Sequence, residues 1–239
     1  MELGIKEKQK KRDCGIKMKI VPYGAGWTDI YLDFAGKQLY FIISEMSKNQ
    51  FNDLLKILYY LYPDQGDPER THELIEYKCG ICTETETGYK VVKITDDLHG
   101  VELPSVVRDI PWKADFTWDE EGAYSDWTLE RVPDQNIDFL LKIHIEHHRA
   151  ETKIYDYEVS YRDFCYAVAK ACTEMLKEYG FYGYHYSTYI QDMNIRYLLF
   201  LKSVALNDFE ARKLTCYDKE GHGETTDLQK ELELLLFEM

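Results

Sequence analysis

The chain has 239 residues, 45% of them hydrophobic and 30% charged, enough to build a core without disulfide staples and too apolar for a disordered chain. Its apolar runs are only a few residues long, which excludes a membrane-spanning helix. The formal charge of −14 opposes binding to phosphate backbones and favours basic partners, while also serving solubility.

The charge is unevenly spread. Lys6, Lys8, Lys10, Lys11, Arg12, Lys17 and Lys19 outnumber Glu2, Glu7 and Asp13, which leaves 20–239 at −18. Residues 1–17 therefore read as a disordered basic tail, and 18–239 as a single domain that begins at Met18. The tail has no apolar stretch of the kind a secretory signal needs. Cys14, Cys79, Cys82, Cys165, Cys172 and Cys216 show no framework spacing, so reduced thiols in a cytoplasm are expected.

Ile30, Leu32 and Phe34 alternate with Asp29, Tyr31 and Asp33, the period of a half-buried strand. Ala35-Gly36-Lys37 is a turn, and Leu39, Phe41 and Ile43 resume the alternation as a hairpin. Ser47, with Gln50 three residues on, starts a helix whose stripe is Phe51, Leu54, Leu55, Leu58 and Leu61, ended by Pro63. In 64–111, Thr71 to Tyr77 is a short element of either type, Tyr89 to Ile94 is a strand and 96–111 is a long connection. Three strands follow, marked by Trp112, Ala114, Phe116 and Trp118, then Trp127, Leu129 and Arg131, then Ile137, Phe139, Leu141, Ile143 and Ile145. Short loops join them into an antiparallel meander.

From Ser160 the period becomes helical. Ser160 and Asp163 form a capping pair, Phe164, Cys165, Val168, Cys172, Met175, Leu176 and Tyr179 form one face, and Gly180 is the C-terminal cap. Tyr182 to Tyr189 is an aromatic loop. Helices are expected over Asp192 to Leu206 and Asp227 to Phe237. The fold class is α+β, an antiparallel sheet of meander plus N-terminal hairpin with helices on one face.

The polar parity of the strands carries Asp29, Asp33, Asp115, Asp126, Glu130, Asp138 and Glu146 against Lys113 and Lys142, with Thr128 and His144, and Asp119, Glu120 and Glu121 crowd an adjoining loop. This describes either a solvated sheet face or a negative docking surface for a cationic protein. Asp115, Asp126, Glu130 and Asp138 are the candidate contact residues, with Trp118 and Trp127 shaping the sheet beneath them. A rival reading uses His144, Glu146 and His148, which share one strand face, as metal ligands of a metal-dependent enzyme. Cys79-Gly80-Ile81-Cys82 has the spacing of half a zinc site without a second half. Neither a phosphate-binding glycine loop nor a nucleophile elbow is present. Tyr182, Tyr184, Tyr186 and Tyr189 suit either core edge or protein contact better than nucleic acid.

One pattern resembles a known group. Phe116-Thr117-Trp118-Asp119-Glu120-Glu121-Gly122, then Trp127-Thr128-Leu129-Glu130-Arg131 and an isoleucine-rich strand, then a helix ending in Tyr179-Gly180 followed by Gly183-Tyr184, are similar to small uncharacterised bacterial cytoplasmic proteins. Some of these are thought to act as immunity proteins beside secreted polymorphic toxins. The resemblance spans about 18–206. It implies a binding protein rather than an enzyme, and the acidic composition agrees in suiting a basic protein such as a cationic toxin; no cofactor, membrane or nucleic-acid partner is expected.

Overall fold

A computed structural model describes residues 15–44, 50–62, 113–120, 122–132, 139–187, 193–206, 215–217, 224–226 and 228–239. The expectations for 64–111, with Cys79 and Cys82, and for Asp138 and Tyr189 fall outside them.

Seven strands form one antiparallel sheet in sequence order: β1 (Ile16–Gly24), β2 (Trp27–Phe34), β3 (Lys37–Ser44), β4 (Lys113–Glu120), β5 (Ala123–Arg131), β6 (Leu140–His148) and β7 (Thr152–Ser160). With helices on its apolar side, this is the expected α+β class. β1 begins at Ile16, inside the stretch expected to be tail, because Ile16 and Met18 are both core residues. β7 is a strand the sequence reading did not anticipate. Tyr155, Tyr157 and Val159 pack on the core at alternate positions, the strand period, right up to the helix at Tyr161. β8 (Thr215–Tyr217) and β9 (Glu224–Thr226) pair as a second, two-stranded sheet.

Both N-terminal hairpins turn through two residues at positive φ, Ala25 (54°) with Gly26 (78°) and Ala35 (52°) with Gly36 (93°). That geometry matches the right-handed twist of the flanking strands. Asp33 Oδ1 accepts Gly36 N at 2.6 Å and completes the second turn.

The sheet folds over on itself. β3 and β4 share only one registered pair, Ile43 with Glu120. Phe34 of β2 stacks on Tyr157 of β7 with centroids 4.0 Å apart, whereas strands five places apart in a flat sheet lie roughly 24 Å apart. Phe41 of β3 likewise meets Trp118, Trp127 and His147 at 5.2–5.5 Å. The inner faces of β1–β3 and β4–β7 therefore pack against each other, and their outer faces point away from each other.

Gln50 fills the seam. Its side-chain amide bonds to Ser44 O on one side, and to Asp119 O (3.1 Å) and Asp119 N on the other, replacing ladder bonds. Its own carbonyl accepts Trp118 Nε1 at 3.1 Å. It opens α1 (Gln50–Leu61), whose expected stripe, Phe51, Leu54, Leu55, Leu58 and Leu61, is buried.

α2 (Tyr161–Ser187) lies along β1 and against α3 (Ile195–Ala205). Asp163 N donates to Ser160 Oγ at 3.2 Å, the expected cap. Gly180 leaves the helical region (φ 68°, ψ 171°), but the chain returns to helix as far as Ser187. Gly180 thus ends the first helical segment, as expected of a C-terminal cap, and the expected loop from Tyr182 is instead a second helical segment that runs to Ser187. Asn194 caps α3 by accepting Tyr197 N at 3.4 Å. α4 (Leu228–Leu236) packs on α3, where the buried ammonium of Lys202 donates to Leu235 O (2.8 Å) and Phe237 O (2.9 Å). A cation thereby satisfies carbonyls that a helix C-terminus leaves open. Burial, and secondarily Lys177, lowers the Lys202 pKa to about 8.

Candidate acidic interface

The four-stranded half presents its outer parity as a continuous field. β4 places Lys113, Asp115, Thr117 and Asp119 there, and β5 adds Tyr124, Asp126, Thr128 and Glu130. β6 contributes Lys142, His144, Glu146 and His148, and β7 Thr152, Ile154, Asp156 and Glu158. Seven carboxylates thus meet two lysines and two imidazoles. Asp115, Asp126 and Glu130 all stand where their strand parity put them.

Threonines hold the carboxylates in place. Thr128 Oγ1 donates to Asp115 Oδ1 and Thr117 Oγ1 to Asp126 Oδ1, both at 2.6 Å. Lys113 is 3.8 Å from Asp115, a loose surface pair that contributes little. A depression of about 430 Å³ lies among Thr128, Glu130, Lys142, His144, Asp156 and Glu158. Trp118 and Trp127 lie fully inside, packed edge-on, tilted or stacked against Phe116 and Phe41, so they shape the sheet from within.

Three expectations change. Asp29 and Asp33 belong to the other half and face away from this field. Lys17 stands opposite Asp33, and Asp29 accepts Tyr40 Oη (2.9 Å) and Tyr31 Oη (3.3 Å). Glu120 ends a strand, not a loop, and points inward with its side chain 1% exposed. Its Oε2 accepts Arg149 Nη2 at 2.9 Å and Ile42 N at 3.4 Å. Arg149 Nε donates to His147 Nε2 at 3.2 Å. The same nitrogen lies 3.0 Å from Glu120 Oε1, so the imidazole sits between the guanidinium and the buried carboxylate. Asp156 and Glu158 join the field, and the signal for them was the alternation of Tyr155, Tyr157 and Val159.

The histidine cluster is arranged by carboxylates. His144 Nδ1 lies 2.7 Å from Asp156 and its Nε2 3.2 Å from Glu146. Those bonds, Asp156 first, raise its pKa above the ordinary histidine value. His148 Nε2 is 3.5 Å from Asp126 and 3.6 Å from Glu146, and its ring stacks on Tyr124. His144 and His148 are four strand residues apart, roughly 13 Å of rise, and their Nε2 atoms lean toward opposite oxygens of Glu146, which lies between them. Among the described residues no group of three or more His, Cys, Asp or Glu side chains is arranged to hold a metal ion. Cys165 and Cys172 are buried thiols of α2, and burial pushes the Cys172 thiol up.

No helix among the described residues is long and apolar enough to cross a membrane. No protein-family model matches this chain, and neither a curated protein nor a solved structure is found to match it.

Proposed function

We propose that this chain is a protein-binding inhibitor of the immunity type. It takes up a basic protein on the outer face of β4–β7 and blocks it sterically and electrostatically. The observation that supports the reading is the segregation of charge. Seven carboxylates crowd the outer face of one half of the sheet, while on the other half lysines of β1 stand among the acids. Such a field speeds the approach of a cation and repels phosphate backbones. The same reading places the protein in a bacterial cytoplasm, where Cys165 and Cys172 stay reduced.

The test is capture from the source cell's lysate and secretome at low and at high salt, with the wild type and the triple variant Asp115→Lys, Asp126→Lys, Glu130→Lys. A basic protein retained at low salt, shed at high salt and missed by the variant is the expected result. A partner held equally by both proteins at both salt concentrations would overturn it.

A further inference from the structure

The two edges of the sheet are finished differently. α2 runs along β1, which also carries Pro22, without an N–H, and a register break between Pro22 and Gly24. These are devices that stop a sheet from taking another strand. β7 has none of them. All nine of its residues keep unbroken register with β6, and the strand holds neither proline nor glycine.

The hydrogen-bond phase shows which groups β7 leaves open. Tyr161 N donates to Phe139 O at 2.9 Å, so the directly opposed pairs at odd positions exchange bonds across β6 and β7. Antiparallel alternation then aims the backbone N–H and C=O of Thr152, Ile154, Asp156 and Glu158 away from β6. Those four residues are exposed, and no backbone bond to another element engages them among the described residues. Their side chains belong to the acidic field, and Ile154 is 58% exposed.

We infer that β7 receives an extended, basic strand of the partner, which lengthens the sheet by one. This rests on the basic-partner reading and states how that partner is held. Backbone bonds to Ile154, Asp156 and Glu158 supply the grip. Cationic side chains opposite Asp156 and Glu158, and the stem of a long or apolar one against Ile154, supply selectivity. A second copy of the chain is disfavoured as occupant. Antiparallel self-pairing that preserves the outer face sets Asp156 against itself, against Glu158 or against residues with no positive charge, and it brings two acidic fields together.

The experiment uses the full chain and a short blocked peptide of alternating lysine and valine, alongside the same peptide N-methylated on alternate residues. Binding is followed by calorimetry, and the amides of β7 by hydrogen exchange. The expected result is slowed exchange at Ile154, Asp156 and Glu158, with binding about tenfold weaker for the methylated peptide and for Ile154→Pro. Ile154→Lys, an exposed change that leaves every backbone group in place, keeps the test valid if the proline variant fails to fold, and it also weakens binding. Equal binding of both peptides, with unchanged exchange in β7 and loss in the Asp115/Asp126/Glu130 variant, would overturn strand addition and leave the acidic-face reading standing. No binding of either peptide at low salt would overturn both. Protection of β7 without peptide, with a mass that doubles on concentration, would assign the edge to a second copy and overturn the inference.

Discussion

The three-stranded and four-stranded halves of the sheet use the same alternation of apolar and polar residues and bury their inner faces against each other. Their outer faces differ. On β1–β3 the charges are answered locally: Lys17 stands opposite Asp33, and Tyr31 and Tyr40, 5.0 Å apart, both donate to Asp29. On β4–β7 carboxylates accumulate, with threonines and histidines for partners. A sheet half needs only an apolar inner face to fold, so its outer face is free to carry unbalanced charge if something else makes use of it.

The sharpest way to break this comparison is at the shared inner face. Trp127→Ala removes a ring packed between Phe116, Phe41 and Trp118 and is expected to cost about 3–5 kcal/mol in denaturant unfolding. A loss of binding in that variant without a loss of stability would mean that the ring is a contact residue. Next comes the seam. Gln50→Ala leaves Ser44 O and the backbone of Asp119 without their substitute ladder, and a loss of about 2–3 kcal/mol is expected from buried polar groups left unpaired. A stability change near zero would show that the halves dock without the seam.

On the outer faces the expected stability effects are small. The triple reversal at Asp115, Asp126 and Glu130 should stay within about 0.5 kcal/mol per site and abolish binding of a basic partner. A stability loss as large as that of Gln50→Ala would make the field structural. At the turn between β2 and β3, Ala35 adopts φ 52°, which asparagine tolerates better than alanine, so Ala35→Asn should raise stability by about 0.5 kcal/mol.

His144 adds a pH dependence of definite sign. The pKa of His144 is raised in the fold, chiefly by its bond to Asp156 and then by Glu146. Its contribution to stability is therefore fully present below the unfolded value, near 6.5, and is lost as pH rises through the raised folded value. A proton titration of His144 by NMR, in the wild type and in Asp156→Asn, checks this. The variant should titrate at lower pH, and an unchanged midpoint would remove Asp156 as the cause.

The sequence by itself determined what depends on neighbours along the chain. Strand parity places Asp115, Asp126 and Glu130 outside and Trp118 and Trp127 inside, because a period of two sends alternate side chains to opposite faces. The stripe of α1 and the Ser160 cap of α2 are equally local. Tertiary structure alone decided what depends on partners distant in sequence. Tyr155 and Tyr157 alternate whether or not β6 is beside them, and it is pairing with β6 that turns 152–160 into an edge strand. Glu120 looks like one more surface acid beside Asp119 and Glu121. The fold-over at Ile43 carries it inside, where Arg149, some thirty residues further on, supplies its counter-charge. Asp29 and Asp33 share the polar parity of Asp115, and the same fold-over turns them to the opposite side of the molecule. Periodicity tells which side of a strand a residue is on, and long-range packing decides what that side faces.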